Sequence, residues 1–162
     1  VNFDELDTSK RARFVIELPI VPARSSDEVS SLPLAPPPGD QLCILVVDDE
    51  ASVRVALQRY FASRGHQVET TASGKDALAR LREGAFDAVI VDMRMPDLSG
   101  EQLYKELRVK DPGHAERVIF TTGQMVDEQV RTFLASTGRA CIPKPFEFSS
   151  FDQALPAARK RK

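Results

Sequence analysis

The sequence lacks the features that mark membrane-spanning, secreted or nucleic-acid-binding proteins. None of its apolar runs approaches the roughly 18 residues that a helix needs to cross a bilayer, and no secretory signal peptide is recognisable. Its two cysteines, Cys43 and Cys141, lie in apolar stretches without a C-x-x-C pair, which predicts buried reduced thiols. A net charge of −2 argues against a general binder of nucleic acid or membrane surfaces. We therefore expect a cytoplasmic chain, although a longer parent protein can still be membrane-associated.

Three regions of different composition follow one another along the chain. Residues 1–20 end in alternating apolar and polar positions, which predict a strand. Since one strand cannot bury its face alone, we interpret it as the remnant of a preceding domain, with an amphipathic leader as the alternative. Residues 21–41 are rich in proline and serine and predict a linker. Residues 42–162 form the main domain. The chain begins with Val1 rather than methionine, so we expect a piece of a longer protein.

The main domain opens on an apolar run that ends in two adjacent carboxylates. Residues 42–47 (LCILVV) predict a strand buried on both faces of a parallel sheet, because a surface strand would alternate. Asp48 and Asp49 follow at once, at the edge where open α/β sheets bind ligands. Two charges at the rim of a core are unfavourable unless something pairs with them. Taken alone, the pair also fits a helix N-terminus, which favours negative charge.

From residue 42 onward, strand and helix patterns alternate five times. Strands are predicted at residues 42–47, 66–71, 86–91, 117–121 and 140–143. The helix starts are predicted at Ala51, after the cap Ser73, at the capping box of Ser99 and Gln102, near Val126, and at Ser149 or Ser150, the last helix being shortened or kinked by Pro156. This alternation predicts an α/β fold: a flavodoxin-like, doubly wound, five-stranded parallel sheet in the order 2-1-3-4-5 with helices on both faces.

That strand order brings a third carboxylate to the acid pair. The third strand (FDAVIV) is followed by Asp92, and strands one and three are neighbours, so Asp48, Asp49 and Asp92 are expected in one crevice. Three carboxylates this close repel one another and cannot all stay ionised unaided. Mg²⁺ prefers oxygen ligands and is typically held by one or two carboxylates plus a phosphate. The sequence therefore predicts a magnesium site at this edge.

Two further side chains follow later strands at the same edge. Thr122 follows the fourth strand and offers a hydroxyl, and Lys144 follows the fifth and offers a positive charge. Singly, they fit a turn cap and a surface lysine. Together with the carboxylates they describe a phosphoryl-transfer pocket. Asp92, opposite the acid pair, is the candidate nucleophile that would form an aspartyl phosphate.

Residues 42 to about 158 resemble a response regulator receiver domain. The matching features, in order after successive strands, are Asp48-Asp49, Asp92 within VDMRMPDLSG, Thr122-Gly123 and Lys144-Pro145-Phe146. The resemblance implies that Asp92 accepts a phosphoryl group from a histidine of a histidine kinase or a histidine phosphotransfer domain. It also implies a magnesium ion bound directly by Asp49, Asp92 and the backbone carbonyl of Arg94, with Asp48 acting mostly through water.

The resemblance gives the remaining site residues roles as well. Lys144 contacts the phosphoryl oxygens, and Thr122 hydrogen-bonds to them, which couples phosphorylation to loop movement and to a switch in partner binding. The bond between Lys144 and Pro145 is expected to be cis.

Two positions depart from the family pattern. The family often has an aromatic residue at the position of Cys141, so signalling through a flip of that side chain is not expected here. Arg94, two residues after Asp92, is a large cation near the pocket. We hypothesise that it slows or redirects the attack of water on the acyl phosphate.

The region before the main domain suggests the origin of the chain. The phrase RARFVIELPI, residues 11–20, resembles the final strand of a histidine-kinase ATP-binding domain. Together with the linker it implies the C-terminal receiver of a hybrid sensor histidine kinase. The sequence itself carries no ATP-binding motif, so we expect a phosphoryl acceptor with at most slow self-dephosphorylation.

Two other functions are alternatives to this interpretation. A metal-dependent phosphatase with an aspartyl nucleophile usually has a second acid two residues after the nucleophile, where this chain has Arg94. An interaction module that no longer takes phosphate is disfavoured by the complete set of site residues. His66 and His114 lie in turn-like segments without ligand spacing and are expected at the surface.

Overall fold

The computed structural model describes residues 41–123 and 128–159, with side chains as far as residue 155. The predicted domain remnant at residues 1–20 and nearly all of the linker at 21–41 lie outside the described residues. Within the described ranges, none of the helices has the length and apolar character that crossing a membrane requires.

The described residues form five strands and six helices. The strands are β1 Cys43–Val47, β2 Gln67–Thr71, β3 Ala88–Asp92, β4 Val118–Thr122 and β5 Cys141–Pro143. The helices are α1 Ala51–Ser63, α2 Gly74–Glu83, α3 Gly100–Lys110, α4 Pro112–Ala115, α5 Glu128–Thr137 and α6 Ser149–Arg159. All strand pairs are parallel, in the order β2-β1-β3-β4-β5. The predicted doubly wound sheet is therefore confirmed.

Helices cover both faces of the sheet because alternate strand residues point in opposite directions. One buried cluster joins Val46 of β1 to Phe61 of α1 and Phe151 of α6. The cluster on the other face joins Val47 of β1 to side chains of α2 and to Leu103 of α3. Each such fully buried apolar side chain contributes about 1.5–3 kcal/mol to stability. This two-sided burial explains why β1 is apolar throughout instead of alternating.

Local sequence signals set the predicted helix starts. The hydroxyl of Ser73 accepts a hydrogen bond from the backbone N–H of Asp76 at the start of α2. Ser99 and Gln102 form the predicted capping box of α3, in which each side chain accepts a hydrogen bond from the backbone N–H of the other. Such caps satisfy N–H groups that have no partner inside the helix.

The segment after α3 differs from the prediction. The one-turn helix α4 begins at Pro112, and the carboxylate of Asp111 accepts a hydrogen bond from the backbone N–H of His114. The predicted surface position of His114 is wrong, because this residue is only 9% exposed. Its Nδ1 lies 2.5 Å from Oδ2 of Asp111, and its Nε2 accepts a hydrogen bond from the backbone N–H of Phe86 at 3.2 Å.

The last helix also differs from the prediction. Helix α6 continues past Pro156 to Arg159 and is not shortened there.

Candidate functional site

Three carboxylates meet at the carboxyl edge of the sheet. Asp48 and Asp49 follow β1 directly, and Asp92 is the last residue of β3, the strand paired with β1. One carboxylate oxygen from each residue lies within 4.8 Å of the others. Asp48 and Asp92 are buried, at 1% and 5% exposed, whereas Asp49 is exposed. Two of the three charges therefore lie inside the protein, and the third faces solvent.

The amine of Lys144 lies between the two buried carboxylates. Its Nζ is 2.7 Å from Oδ2 of Asp48 and 3.2 Å from Oδ1 of Asp92. The backbone N–H of Lys144 donates to the carbonyl of Thr122 at 2.6 Å, which holds the residue at the end of β5. The predicted cis bond between Lys144 and Pro145 is present. The lysine thus compensates part of the buried negative charge from an adjacent strand end.

The two acids of the pair differ in how they are held. The Oδ1 of Asp48 accepts a hydrogen bond from the backbone N–H of Glu50 at 2.9 Å, and its Oδ2 is taken by Lys144. Both oxygens of Asp48 therefore have protein partners. The carboxylate of Asp49 has no hydrogen bond or ion pair within the described part of the chain. Asp49 is consequently the acid whose oxygens are available to a ligand.

The pKa values of Asp92 and Lys144 are both raised, but for different reasons. Burial raises the pKa of the Asp92 carboxyl, Lys144 opposes that shift, and the neighbouring charge of Asp48 adds to it. Burial alone would lower the pKa of the Lys144 amine. The hydrogen bond to Asp48 and the charges of Asp48 and Asp92 outweigh burial, so that pKa is raised. The lysine stays charged, while the ionised form of Asp92 is destabilised.

The two other predicted site residues lie beside this cluster. Thr122 ends β4 and is buried; within the described residues the only hydrogen bond of its hydroxyl goes to the carbonyl of Gly123, at 3.4 Å. Arg94 is exposed, and its backbone N–H is hydrogen-bonded to the carboxylate of Asp92. Cys141, a free and half-buried thiol, lies on β5, and burial raises its pKa.

The donor set fits a hard divalent cation. Mg²⁺ takes oxygen ligands, usually one or two carboxylates completed by water and phosphate. The cluster offers three carboxylates, and that of Asp49 faces solvent and has no partner among the residues that the structure describes. Burial, and to a smaller extent the charge of Asp48, raises the pKa of Asp92, and a cation here would stabilise its ionised form.

The sequence of the described domain matches one known protein family. The model of the response regulator receiver domain matches residues 44–156. The chain belongs to that family. It is thus a receiver domain of two-component signalling, a class of domain that generally binds Mg²⁺ through acidic residues and interacts with histidine kinases or phosphotransfer domains.

Individual relatives agree with this assignment. The receiver domain is similar to a response regulator receiver protein of Anaeromyxobacter sp. (strain Fw109-5), at 37% identity over 62% of this chain and 42% of the relative. It is also similar to the sensor histidine kinase RcsC of Escherichia coli (strain K12), at 33% identity over 90% of this chain and 16% of the relative. The chain thus spans less than half the length of these curated relatives.

A solved structure gives the same fold. The crystal structure of a response regulator receiver domain protein from Clostridium thermocellum aligns with a TM-score of 0.64 at 30% identity. The alignment covers 74% of this chain and 94% of the other. The similarity therefore extends over nearly the whole of a known receiver domain.

Sequence reasoning missed a residue that ties the loop after Asp92 to α2. The carboxylate of Asp97 accepts hydrogen bonds from the hydroxyl of Ser73 at 2.6 Å and from the backbone N–H groups of Gly74 and Lys75, each at 3.2 Å. The hydrogen bond from Ser73 is the main reason that the pKa of Asp97 falls to about 2. An anion at a helix N-terminus is favoured by the helix dipole, but no spacing rule predicts a cap from more than twenty residues away.

A second missed residue is Arg54 of α1. Its guanidinium contacts the main chain of the acid pair. The sequence shows a cation shortly after the two aspartates, which is a signal for an interaction with them. It does not show that the partners of this cation are the backbone carbonyl groups of the aspartates.

Proposed function

We propose that the receiver domain accepts a phosphoryl group on Asp92, in a magnesium-dependent transfer from a phosphohistidine, and thereby switches a partner interaction. The observation that carries this proposal is the position of Lys144, whose amine contacts both Asp48 and Asp92 at the strand edge. A structural lysine needs only one carboxylate, whereas a cation between a metal-binding acid and a nucleophile suits phosphoryl oxygens that arrive between them.

The chain's own residues account for the bond changes. An oxygen of Asp92 attacks phosphorus, the new P–O bond forms, and the P–N bond to the donor histidine breaks with its electron pair returning to the imidazole nitrogen. Lys144 pairs with a phosphoryl oxygen, and Thr122 can turn its weakly bonded hydroxyl towards another. Asp49, Asp92 and the carbonyl of Arg94 are the proposed direct magnesium ligands, with Asp48 behind them. Bound Mg²⁺ would supply neutralisation of the charge on the transferred group.

The proposed roles follow from how each group is held. The carboxylate of Asp48 already has two protein partners, which suits a ligand that acts through water. The carboxylate of Asp49 is exposed and without partners among the described residues, which suits direct binding. The raised pKa of Asp92 means that its negative charge is poorly compensated without a cation. Metal binding and phosphoryl acceptance are therefore expected to be coupled.

We also propose that the chain is the C-terminal receiver of a hybrid sensor histidine kinase, with a kinase-domain remnant at residues 1–20, a linker at 21–41 and the receiver at 42–162. The match to RcsC supports this, because 90% of the chain is more than residues 42–162 supply. The similarity therefore extends into the residues before Leu42. The donor would be a phosphohistidine of the same polypeptide or of a phosphotransfer domain in the cytoplasm.

Incubation with acetyl phosphate, with and without Mg²⁺, tests the proposed chemistry by intact mass. We expect one phosphoryl adduct that requires Mg²⁺, is absent in Asp92→Asn, and persists in Glu83→Gln, which removes an exposed acid of α2. Rapid multiple turnover of acetyl phosphate would instead indicate a phosphatase. The absence of any adduct and of any magnesium binding would indicate an interaction module.

A further inference from the structure

The side chain of Arg54 donates hydrogen bonds to the main chain of the acid pair, Asp48 and Asp49. This half-buried residue lies in the first turns of α1. Its Nη1 donates to the carbonyl of Asp48 at 2.7 Å and to the carbonyl of Asp49 at 2.9 Å. One guanidinium nitrogen thus connects the carbonyl groups of two successive residues, whose side chains supply two of the three carboxylates in the acidic cluster.

The direction of the side chain follows from helix geometry. Long side chains on a helix lean towards its N-terminus, and for Arg54 that direction leads back to the turn between β1 and α1. At the start of α1, Glu50 at the N-cap position makes no side-chain capping hydrogen bond. The turn before it is held by the carboxylate of Asp48, which accepts from the backbone N–H of Glu50, and by Arg54. The contact with Arg54 therefore ties the acid-bearing turn to the body of the helix.

The two acids of the pair differ in how their side chains are fixed. Asp48 is fixed at both carboxylate oxygens and through its backbone N–H, which donates to the carbonyl of Thr71 at 3.1 Å. The carboxylate of Asp49 has no such partner among the described residues, so its position is set by its own main chain. Magnesium demands near-ideal octahedral geometry. A loose peptide at this point would weaken a metal site even with all three acids present.

We propose that Arg54 is a positioning residue for the metal site: by binding the carbonyls of Asp48 and Asp49 it holds the acid pair in the orientation that Mg²⁺ requires. The inference rests on the magnesium site of the proposed function. Among the described residues, the hydrogen bonds of Arg54 go to main-chain carbonyls and not to the carboxylates of the cluster, so it acts through the main chain.

Charge and geometry make opposite predictions for this residue. The guanidinium is a cation close to a cation site, so its charge alone disfavours Mg²⁺. Replacement by methionine removes both the charge and the donors while keeping a long apolar stem. If Arg54 acts only through its charge, Arg54→Met tightens magnesium binding. If it acts by positioning, Arg54→Met weakens binding.

Magnesium titration by isothermal calorimetry at constant pH provides the test. We expect the Kd for Mg²⁺ to rise about tenfold or more in Arg54→Met and by less in Arg54→Lys, which keeps the charge and one donor group. Arg59→Ala is the matched control, since Arg59 is an exposed arginine of the same helix without a hydrogen bond or ion pair within the described residues. Its Kd should stay within twofold of the wild-type value.

Several outcomes overturn the proposal. A Kd within twofold of wild type in folded Arg54→Met, even with a lower unfolding temperature, would assign Arg54 a stabilising role only. Tighter binding would assign it a purely electrostatic one. If Arg54→Met does not fold, Arg54→Lys decides, and an unchanged Kd there contradicts positioning. Failure of the wild-type protein to bind Mg²⁺ would instead contradict the proposed function itself.

Discussion

At the scale of single residues, the buried carboxylate of Asp92 is held where its own charge is unfavourable. Burial and the charge of Asp48 raise its pKa despite Lys144. A carboxyl whose pKa is higher in the folded than in the unfolded state favours folding at low pH, and this contribution is lost as the pH rises through the folded-state pKa. Asp92→Asn should therefore be more stable than wild type in metal-free buffer at pH 7, by a margin that disappears in acid.

Urea unfolding of both proteins between pH 3 and neutrality, in the presence of a chelator, measures that margin. Glu83→Gln, which removes an exposed negative charge, should show no comparable gain. Excess Mg²⁺ should stabilise the wild type more than Asp92→Asn. A variant that is less stable than wild type in metal-free buffer at pH 7 would show that Lys144 compensates Asp92 fully.

Thr121 carries a second unfavourable group next to the site. It is fully buried on β4, opposite Asp92 in the strand register, and its hydroxyl has no hydrogen-bond partner within the described residues. An unsatisfied buried hydroxyl costs roughly 1–3 kcal/mol. Thr121→Val, which replaces that hydroxyl with a methyl group, should raise the free energy of unfolding by about 1 kcal/mol.

Thr71→Val is the matched control for this prediction. The Thr71 hydroxyl is bonded to the carboxylate of Asp76 at 2.8 Å and accepts from the backbone N–H of Ser73 at 3.2 Å. Its loss should lower the free energy of unfolding by about 1 kcal/mol, so the two variants should shift the urea midpoint in opposite directions. A destabilised Thr121→Val protein would show that the hydroxyl has a partner in solution.

At the scale of elements, the start of α3 lies directly against the backbone of Asp92, the proposed acceptor. A Cβ on Gly100 would come 2.5 Å from the carbonyl oxygen of Asp92 and 3.0 Å from Cα of Met93. Both neighbours are main-chain atoms, which cannot move aside like a flexible side chain. Gly100→Ala should therefore lower the free energy of unfolding by about 1–3 kcal/mol and impair phosphorylation by displacing Asp92.

Another glycine offers the comparison. In Gly113→Ala the nearest atom to the new Cβ is Oδ1 of Asp111 at 3.5 Å, an ordinary contact, so little change is expected. Thermal unfolding and the yield of phosphoryl adduct measure both effects. Equal yields and equal melting temperatures for Gly100→Ala and wild type would mean that α3 can shift without moving the acceptor.

The elements also show how far the sequence predicts the structure. Periodicity and caps located the strands and the longer helices, because burial on two faces and capping leave local patterns such as LCILVV and the pair of Ser99 and Gln102. The burial of His114 was missed, since it depends on the backbone of Phe86, far away in sequence. Arg54 was missed because its partners are carbonyl groups, which every residue has.

At the scale of the whole molecule, sheet order alone brings the site together. The crossover between β1 and β3 places Asp48, Asp49 and Asp92 within 4.8 Å, although more than forty residues separate the pair from Asp92. The alternation of strands and helices predicts this order. The hydrogen bonds that orient each acid required the structure, because they involve main-chain groups whose directions depend on the finished fold.

The central claim is that a carboxylate oxygen of Asp92 is the nucleophile that forms the new P–O bond. Borohydride reduction of the phosphorylated protein, followed by peptide mapping, tests it most directly, because reduction converts an aspartyl phosphate to homoserine at the residue that carried phosphorus. We predict homoserine at position 92 alone, and only when Mg²⁺ was present during phosphorylation. Homoserine at position 48 or 49, or phosphate on a side chain that borohydride does not reduce, would contradict the account.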